Sequence, residues 1–150
     1  MSRRITGKEL RDSSVLKYYR LVKQWACRKW DLRGADFDLI MYLDCLRYFS
    51  MAEFKKGEYQ YYWDEERWGR MRQNGTIVVY RQANKVKGEK QIYELSMGTK
   101  RMVSRIYDIL AGEKDIPTKR GNPFLYDRSY SAKVYRHEID AMIKDETRRP

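Results

Sequence analysis

The hydrophobic and polar positions at the start of the chain have a helical period. Residues 1–12 are polar and basic and predict a loose arm, but from residue 14 to residue 30 apolar side chains recur every three or four residues. Oxygen-bearing side chains at positions 12–14 can cap this helix. A second helix is predicted over residues 37–48, with Asp36 as its cap.

Two more helices are predicted before the pattern changes. A short one covers residues 51–55. Residues 58–62 fit either a strand-like linker or the first turn of the next helix. That helix is predicted over residues 62–73, with its clearer start at Asp64. The Asn-Gly pair at 74–75 is a strong helix stop.

The next segment has the two-residue period of a β-hairpin, predicted over residues 77–95. β-Branched and aromatic residues fill 77–80, a polar stretch containing Asn84 and Gly88 follows, and residues 91–95 alternate between polar and apolar. The chain then returns to a helical period.

The C-terminal part predicts two helices joined by a linker. Ser96 can cap the first helix, which ends at Gly112, and Ser129 or Ser131 can begin the second. Residues 113–127 contain two prolines and are predicted to be a linker.

These elements predict an α+β fold that is mostly α, a winged helix-turn-helix with added N- and C-terminal helices. The expected organisation is a basic flexible arm (1–12), a winged-helix domain (13–112), a linker (113–127) and a C-terminal helix with a basic, mobile tail (128–150). A chain of 150 residues is typical of one domain.

The composition indicates a core that is rich in aromatic side chains. Aromatic residues make up 14% of the chain, and the four tryptophans at positions 25, 30, 63 and 68 lie in or beside helical patterns. We therefore expect them in the core rather than in base-stacking platforms. Cys27 and Cys45 are expected to be small buried hydrophobic residues, because neither belongs to a CxxC motif.

The charge balance restricts the partners. The formal net charge is +11, and such a field attracts polyanions, of which nucleic acid is the commonest partner of an intracellular chain. Acidic lipid and acidic protein are the alternatives. No apolar window is long enough to cross a membrane, and residues 1–4 lack the apolar run of a signal peptide, so an intracellular protein is expected (cytoplasm or nucleoid).

Three helices followed by a basic hairpin resemble the MarR family of winged-helix transcription regulators over residues 13–112. Residues 37–40 fall where that family begins its second helix, and residues 51–54 resemble its short helix before the DNA-reading one. Residues 71–77 (Met-Arg-Gln-Asn-Gly-Thr-Ile) resemble its leucine-x-x-x-glycine-x-isoleucine passage into the first wing strand. Residues 95–98 resemble its leucine-threonine-x-x-glycine motif, with the glycine one place early.

The resemblance implies double-stranded DNA as the partner and a homodimer formed by the terminal helices. The helix over 62–73 would enter the major groove, and the hairpin over 77–95 would reach phosphates or the minor groove. Two departures stand out. The aspartate-x-arginine wing tip is replaced by Asn84 to Gly88, and Glu65 and Glu66 lie where the family presents small polar or basic residues.

Nine side chains are candidate DNA contacts. Arg70 is the first choice for a base edge or phosphate, since Trp68 and Met71 should face the core. The full set is Tyr61, Tyr62, Arg67, Arg70, Arg72, Arg81, Lys85, Lys87 and Lys90. The alternative for these residues is a solvated basic surface.

The sequence gives little support for catalysis, a metal or a cofactor, and none of the three is expected. His137 lacks metal-site spacing, and the chain contains neither a phosphate-binding glycine loop nor a GxSxG elbow. The acids at 64–66 are explained by the preference of helix N-termini for negative charge, without Mg²⁺.

Three functions therefore compete. The leading hypothesis is a sequence-specific, dimeric transcription regulator. The others are a non-specific architectural DNA-binding protein, favoured by Glu65 and Glu66, and a winged-helix adaptor that binds a protein partner through its aromatic surface.

Overall fold

The computed structural model describes residues 4–52 and 65–148, and it is an α+β structure that is mostly helical. In chain order the elements are α1 (Gly7–Asp12), α2 (Val15–Lys29), α3 (Gly34–Leu46), α4 (Glu65–Gln73), β1 (Ile77–Arg81), β2 (Ile92–Leu95), α5 (Met97–Leu110), α6 (Tyr130–Lys144) and a final 3₁₀ turn (Glu146–Arg148). The chain divides into two compact units. Unit 1 comprises Met1–Gly34 and Ser104–Pro150, and unit 2 comprises Ala35–Val103.

Most predicted elements are confirmed. The helices over 14–30 and 37–48 are observed as α2 and α3, and both strands of the hairpin are present. The Ser96 hydroxyl accepts the Thr99 N–H at 3.2 Å and caps α5, as predicted. Of the short helix over 51–55, only Met51 and Ala52 are described, and both are helical. Ser129 rather than Ser131 caps α6, through the Ala132 N–H at 3.2 Å.

The segments predicted as a loose arm, a linker and a mobile tail contain a helix or buried side chains. The arm contains α1, capped by the Thr6 hydroxyl, which accepts the Glu9 N–H at 3.1 Å. The predicted linker has no helix or strand, yet Ile116, Asn122 and Phe124 within it are buried. In the basic tail, expected to be mobile, Arg148 is buried as well. The polar composition of these segments therefore did not indicate that some of their side chains are buried.

The core of unit 1 lies on α2, α5 and α6. Its buried apolar side chains include Leu21, Val22, Trp25, Ala26, Ile106, Ile109, Ile139 and Met142. The pairs Lys17–Asp145 (3.1 Å) and Arg20–Glu138 (3.4 Å) join α2 to the C-terminal part of the chain. The middle of the apolar stripe predicted on α2 is therefore buried within unit 1, while its two ends are half-buried.

A buried arginine fixes the C-terminal turn. The Arg148 guanidinium donates to Asp115 Oδ1 at 3.0 Å and to the Lys114 carbonyl at 2.8 Å. Gly112 lies against the same turn with a φ of 82°, and a Cβ built there would lie 2.1 Å from the Arg148 carbonyl oxygen. Only glycine satisfies both conditions, because it alone lacks a Cβ.

The carboxylate of Asp145 should make the stability of the protein depend on acid pH. Hydrogen bonds from Thr147, Tyr18 and Lys17 hold the pKa of this carboxyl well below its usual range. An unfolded aspartate titrates near pH ~3.9, so the stabilisation is complete above that pH and is lost as the pH falls through the lower folded pKa. We expect Asp145→Asn to flatten the acid limb of the stability curve below pH ~4.

This expectation is checked by urea denaturation between pH 2 and 7. Asp140→Asn, an exposed aspartate on α6, is the matched control and should keep the wild-type acid limb. Parallel acid limbs for the wild type and Asp145→Asn would contradict the assignment.

Unit 2 is built on the antiparallel hairpin of β1 and β2. Ile77 pairs with Leu95 and Val79 with Tyr93, and a bulge follows before Arg81 pairs with Ile92. Phe49 forms an isolated antiparallel bridge to Tyr93, with N–H to carbonyl distances of 3.1 and 2.8 Å in the two directions. The segment after α3 therefore lies along the β2 edge that faces away from β1.

Candidate nucleic-acid interface

The hairpin loop is held in one conformation by Asn84. Its backbone exchanges two hydrogen bonds with Glu89, at 2.9 and 2.8 Å. Its side-chain Oδ1 accepts the N–H groups of Val86 and Lys87 at 3.1 and 3.2 Å. Gly88 closes the turn with a φ of 69°, a conformation that favours glycine. The loop is therefore a tight, internally bonded turn.

This turn displays positive charge. Arg81, Lys85, Lys87 and Lys90 are all exposed, and the acidic residue among them, Glu89, is half-buried. Arg81 donates to the Lys90 carbonyl at 3.3 Å, across the base of the loop. Val86 at the tip is 97% exposed. Four predicted contact residues thus share one accessible, cationic surface, which we call the hairpin loop.

Helix α4 packs directly on the hairpin. Trp68 and Met71 are buried, as predicted, and the Trp68 ring meets Tyr93 edge-on with 5.0 Å between ring centroids. The Phe49 and Trp68 rings are also perpendicular, at 6.2 Å. At the end of α4, Gly75 has a φ of 77° and the Thr76 N–H donates to the Met71 carbonyl at 2.9 Å. The Asn-Gly stop is therefore confirmed.

Two arginines of α4 share one buried carboxylate. Asp36, which is 5% exposed, accepts from Arg67 Nε at 2.7 Å and from Arg70 Nη2 at 3.0 and 2.9 Å. The prediction that Asp36 caps its helix is wrong, because α3 begins two residues earlier at Gly34 and the carboxylate points to α4 instead. Asp36 therefore neutralises one of the two guanidinium charges and fixes both side chains.

The third arginine of α4 is turned towards the sheet. Arg72 donates to the Ile77 carbonyl at 3.3 Å, and its guanidinium lies 5.0 Å from the centroid of the Tyr93 ring. A cation over an aromatic face is stabilised by the negative ring face. Arg72 thus joins α4 to both strands.

The exposed residues of α4 are Glu65, Glu66, Gly69 and Gln73. This surface carries carboxylates at the N-terminal end of the described helix and an open position at Gly69, where an added Cβ would meet nothing within 4 Å. The acidic character that the sequence indicated at this end is thus accessible. The positive charge of the candidate interface lies on the hairpin loop.

Several predictions fall on residues that are not described. Tyr61 and Tyr62, predicted to donate to phosphate, lie outside the described residues, as do Trp63 and Asp64. Within residues 4–52 and 65–148, no group of three or more His, Cys, Asp or Glu side chains is placed to hold a metal. His137 is exposed on α6.

The cysteine expectation is wrong for one residue and only partly met for the other. Neither cysteine forms a disulfide with a described residue; Cys27 is half-buried, and Cys45 is exposed near the end of α3.

An exposed tyrosine pair in unit 2 was not predicted. The rings of Tyr48 and Tyr80 lie 4.3 Å apart with a 36° tilt, and their exposures are 49% and 55%. A hydrogen bond that the Tyr48 hydroxyl donates to the Tyr80 hydroxyl raises the pKa of Tyr48. The alternation of β1 could have indicated that Tyr80 is exposed. Tyr48 follows α3, and no local sequence pattern predicts that it contacts Tyr80.

Comparison with protein-family models, with curated proteins and with solved structures gave no match. In the part of the chain that is described, no helix is long and apolar enough to cross a membrane.

Proposed function

We propose that unit 2 is a winged-helix domain that binds duplex DNA and that the protein is a dimeric regulator of transcription. The observation that carries this proposal is the packing of α4 against a hairpin whose loop exposes Arg81, Lys85, Lys87 and Lys90. A helix beside a cationic β-ribbon is suited to binding a groove and its phosphates together.

The order of the elements supports the winged-helix assignment. A winged helix has a short strand between its first two helices, and this strand pairs with the second wing strand. Here the bridge from Phe49 to Tyr93 occupies that place, between α3 and the helix that begins at Met51. The hairpin then follows α4 directly. Sequence patterns alone gave no sign of this bridge.

The hairpin loop supplies most of the proposed affinity. Its exposed cations can neutralise phosphates and release condensed counterions, which is the main sequence-independent term in DNA binding. Arg70 is proposed to contact a phosphate or base edge beside Asp36, because its described bonds use only Nη2 and a guanidinium has five N–H donors. No cofactor or catalytic step is part of this proposal.

Dimerisation remains part of the proposal. The middle of the apolar stripe of α2 is buried within unit 1, so a second copy would contact the outer surface, where Leu10 and Leu16 are exposed. Two copies would place their α4 helices on half-sites about one helical turn apart. Sedimentation of the DNA complex measures the stoichiometry.

Replacing Lys85 and Lys87 by alanine should reduce the salt dependence of DNA binding. If both ammonium groups contact phosphates, the slope of log K against log salt concentration should flatten by ~1–2. Fluorescence anisotropy on one duplex at several salt concentrations measures this slope. Lys133→Ala/Lys144→Ala, which removes the same charge from α6, is the control and should leave it unchanged. An unaltered slope in the loop variant would remove the hairpin from the interface.

Selection from random duplexes distinguishes a regulator from an architectural protein. A regulator should enrich one motif with half-site symmetry, because α4 would read base edges. Equal binding to all duplexes would favour the architectural function, which the exposed Glu65 and Glu66 also favour because they repel phosphate near the groove.

One observation favours a protein adaptor as the second candidate. The exposed pair of Tyr48 and Tyr80 is the type of aromatic surface that is enriched at protein interfaces. The absence of duplex binding at physiological salt would select this function.

A further inference from the structure

Two cations meet over one buried indole in unit 1. The Trp25 ring, which is fully buried, has Lys29 Nζ at 5.7 Å and the Arg105 guanidinium carbon at 5.5 Å from its centroid. Lys29 Nζ is also 5.7 Å from the centroid of Trp30, whose ring is perpendicular to Trp25 with 5.2 Å between centroids. Both charges therefore lie over the Trp25 ring, and Lys29 also lies over Trp30.

No carboxylate of the described residues forms an ion pair with either cation. Acidic partners are present for many other basic residues of unit 1, such as Arg28, which pairs with Asp127. The polar contact of Lys29 is the Gly121 carbonyl, at 3.4 Å. An indole face attracts cations through its quadrupole but carries no net charge. Within residues 4–52 and 65–148, the two positive charges therefore have no acidic partner.

Holding these charges together has an electrostatic cost. Burial, and then repulsion by Arg105, lower the pKa of Lys29. An anion that contacts both groups would offset the repulsion and supply acceptors for their N–H donors. The free-energy cost of removing the anion from water is partly compensated by the charge-assisted hydrogen bonds that it accepts.

A tight turn at Gly121 lies next to the Lys29 ammonium group. Gly121 has a φ of 97°, and a Cβ built there would lie 3.5 Å from Lys29 Nζ and 3.7 Å from Pro117. The two residues before this glycine, Lys119 and Arg120, are both exposed. The local charge is therefore positive, and the backbone approaches the ammonium group closely.

We propose that Lys29 and Arg105 form an oxyanion site that binds a phosphate group. Free inorganic phosphate and the phosphodiester of a nucleic acid present the same chemistry to the two cations. The site lies wholly within unit 1 and does not depend on the proposed function of unit 2. If it binds nucleic acid, it adds a second contact to that of the hairpin loop.

Titration with inorganic phosphate at constant ionic strength tests the site on the full chain. Fluorescence of Trp25 and Trp30 or isothermal calorimetry should show saturable binding. Lys29→Gln/Arg105→Gln should weaken it by about tenfold or more, because two charge-assisted contacts are lost. The control Arg128→Gln/Lys133→Gln removes equal charge from exposed positions of the same unit and should bind like the wild type.

A second arm identifies the source of the phosphate. With a 20-base-pair duplex, a phosphodiester contact predicts that the salt slope falls by ~2 in the double variant but not in its control. Phosphate binding with an unchanged duplex slope would identify free phosphate as the ligand. The hairpin-loop variant should retain phosphate binding, so failure of either proposal can be recognised separately.

Lys29→Met guards against a folding artefact, because it removes the charge but keeps an apolar stem over the rings. It should weaken phosphate binding while preserving the cooperative thermal unfolding of the wild type. Absence of saturable phosphate binding by the wild type, together with equal duplex slopes for the double variant and its control, would overturn the proposal.

Discussion

Asp36→Asn should lower the free energy of unfolding by about 3 kcal/mol. The carboxylate is almost fully buried and accepts hydrogen bonds from both Arg67 and Arg70. Removing one member of a buried ion pair leaves its partner charged in a poorly solvated place, at a typical cost of ~3–5 kcal/mol. The lower end of that range applies because water still reaches both guanidinium groups, whose side chains are 17% and 30% exposed.

Urea denaturation at neutral pH measures the effect. Asp44→Asn makes the same change of charge on the same helix and is the control. We expect it to alter the free energy of unfolding by less than ~0.5 kcal/mol. If the two variants unfold at the same urea concentration, Asp36 does not stabilise α4 through its arginines.

Gly112→Ala should be similarly destabilising, by about 2–4 kcal/mol. The residue has a φ of 82°, where a non-glycine residue is strained by ~1–2 kcal/mol. In addition, the new methyl group would overlap the Arg148 carbonyl oxygen, 2.1 Å away, so the C-terminal turn must move. That movement would disturb the ion pair between the buried Arg148 and the exposed Asp115.

A second glycine provides a control that should change the free energy of unfolding in the opposite direction. Gly69 lies inside α4, where an added Cβ meets nothing within 4 Å, so Gly69→Ala should raise the free energy of unfolding by ~0.5–1 kcal/mol. Deleting residues 148–150 in the Gly112→Ala background separates the two causes. If the overlap matters, alanine should be less harmful in the shortened chain. If Gly112→Ala lowers the free energy of unfolding equally in the full and the shortened chain, backbone strain alone explains the effect.

Local patterns predicted the elements of the fold well. The apolar stripe of α2, the Asn-Gly stop after α4 and the Ser96 cap all involve residues within a few positions of each other. Such signals depend on backbone geometry that is complete within one or two turns. They also predicted the exposed cations of the hairpin loop, since a polar loop between two strands has little to pack against.

Long-range pairings explain what the sequence did not predict. Asp36 precedes its partners by 31 and 34 residues, and an acid at a helix start is equally typical of a cap. Arg148 follows Asp115 by 33 residues and was indistinguishable from a solvated tail residue. The bridge from Phe49 to Tyr93 likewise needs tertiary contact. In each case the partner comes from a distant part of the chain, and the local hydrophobic period does not predict which residues meet in the folded structure.

The shared carboxylate of Asp36 also limits how this protein can be re-engineered. Moving a helix from one scaffold to another assumes that the side chains of the helix keep their geometry without residues from elsewhere in the chain. Here the guanidinium groups of Arg67 and Arg70 depend on an acid from a different helix. A chimera that transplants only α4 would carry two unrestrained arginines, and it would need a matching aspartate in its host to reproduce their geometry.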